Sequence, residues 1–224
     1  MTVVIVVLYI HLFYYYKEPK LNIKAIVFDY GQVISLPQDP ATMDILAQRI
    51  GVKREKFEST LWSLRDEYDR GTLTSMQYYK QVLSSLNVSM DDKSIEELIT
   101  IDLSSWKNID TGTVALMEDV KKAGYVLGIL SNMPHDFLAW ARESIPVFSL
   151  PHASLFSCEV NLIKPEAAIY KKLLSMLELE GAAVVFFDDK PENIESARAA
   201  GIQAFLWESA ENARHKLSSL GVKL

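Results

Sequence analysis

The sequence has a single cysteine, Cys158, so no disulfide can form within the chain and nothing in it demands an oxidising compartment. That favours the cytosol. Its neighbours Leu155 to Val160 read as a short strand, which makes Cys158 a packed small side chain rather than a catalytic thiol. Positive charge is also in deficit: 23 Lys and Arg stand against 29 Asp and Glu, a formal net charge of −6. Broad binding to nucleic acid, which draws on Lys and Arg at the phosphates, is therefore not expected. No His/Cys cluster offers a zinc site, and no internal repeat or low-complexity tract is present. The sequence also lacks an apolar run of full membrane-spanning length. Thr2 to Tyr16 carries no charged side chain apart from a neutral His11, but it falls short of the roughly 20 residues a spanning helix needs. It has neither the basic start nor the small-residue cleavage site of a signal peptide. Three readings of this hydrophobic extension (residues 1–20) stay open: a short anchor, a segment packed on the domain or on a partner, or an upstream translation start. As an anchor it would leave the domain cytoplasmic, because Lys17, Lys20 and Lys24 follow it.

What is present is a globular composition, 49% hydrophobic and 23% charged over 224 residues, enough for one α/β domain and a small accessory unit. Short apolar runs alternate with helical patterns, as a parallel sheet with crossover helices requires. Strands are expected at Ile23 to Phe28, Tyr125 to Leu130, Ala183 to Phe187 and Gln203 to Trp207. Helices are expected at Thr111 to Ala123, Pro134 to Glu143, Glu166 to Glu178, Pro191 to Gly201 and Ser209 to Leu220. From Ala41 to Ser105 only helical patterns occur: Thr42 to Ile50, Arg54 to Tyr68, Thr74 to Leu86, and a run opened by a capping box at Ser94 and Glu97. The expected fold is α/β: a Rossmann-like parallel sheet flanked by helices, residues 21–40 and 106–224, with an all-helical cap inserted at 41–105. The insertion point lets the cap sit over the carboxyl ends of the strands, where open α/β sheets hold ligands.

Three strands end in polar residues: Asp29, Ser131-Asn132 and Asp188-Asp189. Parallel strands bring these ends to one edge. Three convergent carboxylates repel one another, and a divalent cation held by oxygen ligands relieves that repulsion. Few carboxylates, with other sites left to water and phosphate, suit Mg²⁺. Lys164 can add a positive contact to phosphate oxygens and Ser131 a hydroxyl donor, so that an aspartyl-phosphate could form and then be hydrolysed. Each feature alone has a plain alternative: a strand-end Asp is common, Asp188-Asp189 could cap the helix at Pro191, and Lys164 could be a solvated lysine.

Together, the order and spacing resemble the haloacid dehalogenase superfamily. Phe28-Asp29-Tyr30-Gly31-Gln32-Val33-Ile34 resembles its first motif, Leu130-Ser131-Asn132 its second, Lys164-Pro165-Glu166 with Ile169-Tyr170 its third, and Phe186 to Ile194 with Ala197 and Gly201 its fourth. The likeness spans about Ile23 to Leu220 and includes the helical C1-type cap. It implies that Asp29 is nucleophile and metal ligand, that Ser131 and Asn132 hold phosphate or substrate, and that Lys164 neutralises nucleophile and phosphate. It further implies that Asp189 binds Mg²⁺ directly with Asp188 in support, roles these two could exchange, while Gly31 contributes its carbonyl to the metal.

Gly31 is also a departure, because phosphatases of the family carry a second Asp there as general acid, a group worth about 10²–10⁴-fold. The pattern Asp-x-Gly-x-Val resembles the branch with sugar-1-phosphate phosphatases and the phosphatase-like domains related to epoxide hydrolases. The resemblance implies a small phosphorylated metabolite as substrate, with an anomeric sugar phosphate as the narrower reading; anomeric sugar, aryl and acyl phosphates leave easily and suffer least from the missing acid. A positive φ at Gly31 is one reading of the glycine. Rival readings are a silent binding module that kept the fold and a haloacid dehalogenase, the latter disfavoured by the paired acids at Asp188-Asp189. In the cap, Trp62, Arg65, Asp66, Tyr68 and Arg70 could reach the site, but Trp62, Tyr68, Tyr78 and Tyr79 at helical spacing read first as packing.

Overall fold

The computed structural model describes residues 22–224, so the hydrophobic extension lies outside the described residues. Among those described, no helix is long and apolar enough to cross a membrane.

Five parallel strands form one sheet in the order β3-β2-β1-β4-β5: β1 (Ala25–Phe28), β2 (Val126–Ser131), β3 (Ala153–Phe156), β4 (Val184–Asp188) and β5 (Gln203–Leu206). Both central strands read as unbroken apolar runs because both faces are buried. Ile26, Phe28, Val185 and Phe187 enter one core layer, while Ala25, Val27, Val184 and Phe186 enter the layer on the opposite face. Register sets Phe28 beside Phe187 and Ile129. The Asp29 N–H donates to the Phe187 carbonyl at 2.9 Å, so the next residue of each strand, Asp29 and Asp188, emerges at the same edge. From β1 the chain turns to β2 on one side, and from β4 to β5 on the other; the crevice at this reversal is where open α/β sheets take ligands.

Of the six helices between β1 and β2 the first five form the cap, α1 (Pro40–Ile50), α2 (Arg54–Ser63), α3 (Arg65–Asp69), α4 (Ser75–Ser85) and α5 (Asp92–Ser104). They bury their own apolar cluster, with Tyr68, Tyr78 and Tyr79 at its centre. The continuous helix expected over Arg54 to Tyr68 is broken at Leu64, whose φ of −108° and ψ of 5° leave the helical region, and Arg65 begins a new short helix. The capping box expected at Ser94 and Glu97 gives way to an earlier start: Asp91 accepts from the Ser94 N–H, and a reciprocal box forms instead at Thr74 and Gln77. The two chain crossings into this cap are pinned to each other. Leu36 N–H donates to the Asn108 carbonyl at 2.8 Å and Asp110 N–H to the Ile34 carbonyl at 2.9 Å.

The remaining helices cover the sheet: α6 (Thr111–Lys122), α7 (His135–Ser144), α8 (Ser157–Val160), α9 (Ala167–Leu177), α10 (Pro191–Ala199) and α11 (Ala210–Ser219). The segment read as a strand through Cys158 divides: β3 stops at Phe156 and Cys158 lies on the single turn α8, buried, where burial pushes its thiol up to about 12. A thiol so held is inert at neutral pH.

Candidate active site

The strand ends, the cap and the loop before α9 enclose one cleft, lined by Asp29, Gly31, Ser131, Asn132, Lys164 and Asp189 among others. Asp188 lies just beneath it, 0% exposed. All residues expected at the site from sequence are thus gathered within one locality, from segments up to 160 residues apart in sequence.

Lys164 organises the floor. Its Nζ stands 2.8 Å from Asp29 Oδ1 and 2.5 Å from Asp188 Oδ2, with the lysine 3% exposed. Burial opposes the charged ammonium, but Asp188 and Asp29 outweigh it and hold Lys164 above its ordinary value. Asp29 Oδ1 also accepts the Tyr30 N–H at 2.7 Å, whereas no described hydrogen bond reaches Oδ2. Burial pushes the Asp29 carboxyl up to about 7; Lys164 opposes the rise and Asp188 and Asp189 add to it.

The paired acids differ in their attachments. Asp188 Oδ1 accepts from Asn193 Nδ2 at 2.8 Å and from the Lys190 N–H at 2.9 Å, and Oδ2 is taken by Lys164. Asp189 meets only Gln32 Nε2, at 2.7 Å on Oδ2, and faces the cleft. Burial and the Asp188 charge raise the Asp189 carboxyl above its usual range. Helix α10 is capped at Lys190, not by the side chain of Asp189, which leaves that carboxylate for other work. Carboxylate oxygens of Asp29, Asp188 and Asp189 lie within 4.8 Å of one another. Three acids answered by one ammonium form a donor set that fits a hard divalent cation.

Ser131 is buried and its hydroxyl makes only a long 3.5 Å contact to the Asn132 carbonyl, so it can turn to a ligand. Asn132 differs from the expected substrate contact in its attachment. Its Oδ1 accepts the Lys164 N–H at 2.8 Å and its Nδ2 donates to the Lys164 carbonyl at 2.9 Å, which holds the lysine loop in place. Gly31 does not adopt a positive φ; that conformation falls on the following residue, Gln32, at 57°. A Cβ added at Gly31 would meet only Trp106 Cζ3, at 3.9 Å.

Several lining residues lie outside the expected site residues. Gln32 carries no motif signal beyond its place in the first loop. Trp62, Arg65 and Asp69 descend from the cap, and Trp106 from its return crossing. Arg65 pairs with Asp69 at 2.8 Å and sits over the rings of Trp62, Tyr68 and Tyr78. The sequence marks Trp62 and Arg65 as cap side chains able to reach the site, and both line it; nothing in the sequence marks Asp69 or Trp106. Tyr68, Tyr78 and Tyr79 do pack in the cap core. Arg70 leaves the cap instead to form a fork with Glu166, at 2.8 and 3.1 Å, and Ser157 Oγ donates to the Asp69 carbonyl at 2.5 Å, so the cap tip is fastened to the core beside the lysine loop.

The family model described as haloacid dehalogenase-like hydrolase matches residues 23–201. The chain is 25% identical over 215 residues to phosphatase MT3486 of Mycobacterium tuberculosis, covering 91% of this chain and 98% of that protein. It is 22% identical to the sesquiterpene phosphatase astK of Aspergillus oryzae, covering 80% and 87%. Among solved structures, the magnesium complex of the enzyme bt-2542 from Bacteroides thetaiotaomicron superposes with a TM-score of 0.72 at 20% identity, covering 88% of this chain and 98% of that one.

Proposed function

Because the chain belongs to the haloacid dehalogenase-like hydrolases, we propose that it is a phosphoric monoester hydrolase that works through a phosphorylated Asp29 and uses Mg²⁺. The observation that carries this reading is the arrangement around Asp29: one carboxylate oxygen is fixed by Lys164 and the Tyr30 N–H, and the other is left without a described partner on the cleft side of the loop. That is the arrangement of an oriented nucleophile.

Asp29 attacks phosphorus, the bond from phosphorus to the ester oxygen breaks, and the leaving group departs with the electron pair. Lys164 offsets the negative charge of Asp29 and of the phosphoryl oxygens as they meet, and Ser131 donates its hydroxyl to one of those oxygens. Water then attacks phosphorus in the aspartyl-phosphate, releasing inorganic phosphate and regenerating the carboxylate. Asp29, Asp189 and the Gly31 carbonyl would hold Mg²⁺, and Asp188 would steady Lys164 and the loop after β4 through Asn193 and Lys190. A bound Mg²⁺ supplies electrostatic screening between nucleophile and phosphate and takes up developing charge.

The relatives named as phosphatases support this class, and the magnesium complex of a structural neighbour is in keeping with the metal. The substrate is read as a small phosphorylated metabolite; a sugar phosphate is the narrower expectation from the Gly31 pattern. The retained Asp29, Lys164 and Asp189 weigh against a silent module. The test is phosphate release from a panel of monoesters with Mg²⁺ or EDTA: Asp29→Asn and EDTA should each abolish it. Full activity of Asp29→Asn would end the covalent mechanism.

A further inference from the structure

This inference rests on the phosphatase reading above and concerns the group that leaves. The position two residues after the nucleophile, Gly31, has no side chain, and the space a Cβ would enter is bounded by the benzo edge of Trp106 at 3.9 Å. Where a general acid would stand, the protein presents an indole. Trp106 meets Trp62 edge to face, with ring centroids 6.4 Å apart at 89°. Trp62 is 39% exposed although it is the bulkiest apolar side chain on the cleft side of the cap. Leu103, Met133 and Phe137 extend the same apolar wall.

The polar side chains beside this wall are partly engaged, while the buried Trp106 Nε1 has no partner among the described residues. Arg65 and Asp69 hold each other at 2.8 Å, and the guanidinium also lies 5.4 Å from the Trp62 ring centre. Gln32 is bonded to Asp189 and Asn193 to Asp188. Hydroxyls of a polyhydroxylated leaving group set against the indole rings would go unmatched, and a site discriminates against polar groups it leaves unpaired. A planar apolar group finds two indoles to lie against.

We propose that the preferred substrate is an aryl phosphate monoester, with its ring against Trp62 and Trp106. The two halves of the observation agree chemically. A phenol has a pKa of about 10, as the tyrosine side chain does, so its oxygen departs as a phenolate without prior protonation; an anomeric sugar oxygen leaves less readily and a non-anomeric sugar alkoxide far less. In the step, the Asp29 carboxylate forms a bond to phosphorus as the bond from phosphorus to the aryl oxygen breaks. The phenolate takes the electron pair and is protonated by water, and hydrolysis of the aspartyl-phosphate returns the carboxylate and inorganic phosphate. An acid at position 31 is not required for this leaving group, and an indole in its place is useful.

The experiment compares kcat/KM for 1-naphthyl phosphate, acetyl phosphate and glucose 1-phosphate, with Mg²⁺, on the wild-type chain and on Trp62→Ala and Trp62→Phe. Acetyl phosphate needs neither an acid nor an aromatic wall, so it reports the phosphoryl chemistry alone. The wild type is expected to favour naphthyl over glucose 1-phosphate by at least about tenfold, and Trp62→Ala to lower the naphthyl-to-acetyl ratio about tenfold, the scale of ring contacts. Trp62→Phe should keep most of that ratio, which separates ring contact from general damage. Hydrolysis of acetyl phosphate with no preference for naphthyl phosphate, or a ratio unmoved by Trp62→Ala, overturns the aryl assignment and leaves the phosphatase reading intact. No release from any of the three overturns both.

Discussion

Lys164 Nζ lies 2.5 Å from Asp188 Oδ2 in a pair with almost no solvent contact, and the same ammonium reaches Asp29 at 2.8 Å. Breaking a buried pair leaves an uncompensated charge, which costs about 3–5 kcal/mol. Here the removal of one cation would strand two carboxylates.

Lys164→Met is therefore expected to lower Tm by roughly 10 °C, taking about 2–4 °C per kcal/mol for a chain of this size, and to reduce turnover by at least about 10²-fold. Differential scanning calorimetry and phosphate release check the two effects separately. A variant with wild-type Tm would mean that the carboxylates do not depend on this ammonium.

The second expectation concerns pH and metal. Burial holds the Asp29 carboxyl near 7 in the folded chain, while in the unfolded chain an Asp releases its proton near 3.9. Between about pH 4 and pH 7 the folded state thus binds the extra proton, and stability falls as pH rises through that window. The raised Lys164 ammonium acts in the other range: its contribution is present below the ordinary lysine value and is lost only above it. In EDTA, Tm should drop from pH 5 to pH 8, and Asp29→Asn should flatten that drop. Added Mg²⁺ should raise Tm more at pH 8 than at pH 5, because the cation favours ionised acids. An equal Mg²⁺ shift at both pH values would count against the acid cluster as the binding site.

Gly31 tests the missing acid. Its φ is not in the left-handed region and an added Cβ meets only an ordinary contact with Trp106, so Gly31→Asp should fold with Tm changed by no more than a degree or two, as for other unstrained substitutions. Provided with an acid, the chain should hydrolyse simple alkyl phosphates at least about tenfold faster, within the range general acid catalysis supplies. A series of phenyl phosphates of graded leaving-group pKa gives the sharper reading: the rates of Gly31→Asp should depend less on the leaving group than those of the wild type. An unchanged dependence would show that the new carboxylate does not reach the ester oxygen.

The legible part of the site was the part written in short contiguous patterns. Asp29, Ser131 and Asp188-Asp189 each terminate an apolar run, and a buried parallel strand announces itself by such a run regardless of its neighbours. Hence the sheet, its helices and the edge where the acids meet could be read before any coordinate. The different attachments of Asp188 and Asp189 were harder to read, since both sit at the same strand end and only the fold brings Asn193, Lys190 and Lys164 onto the oxygens of Asp188. Asn132 illustrates the same limit: its place after β2 was foreseen, but its attachment to the Lys164 backbone belongs to a contact 32 residues away.

The cap was legible as helices and illegible as a wall. Periodicity reports which face of a helix is apolar, and it served well for Tyr68, Tyr78 and Tyr79, whose partners lie within the cap. It is silent about a break such as that at Leu64, because a residue with ordinary helical propensity leaves the helix there only under the pull of tertiary contacts. Trp62, Arg65, Asp69 and Trp106 line the same cleft as Asp29, and the crossings at Leu36 and Asp110 hold the cap to the core beside it. Local sequence by itself determined four of the five strands and the family and picked out the proposed reacting groups, because backbone periodicity and strand-end chemistry are properties of neighbouring residues. Only the tertiary structure decided what surrounds the leaving group, because that surface is assembled from side chains whose proximity depends on how the cap closes over the sheet.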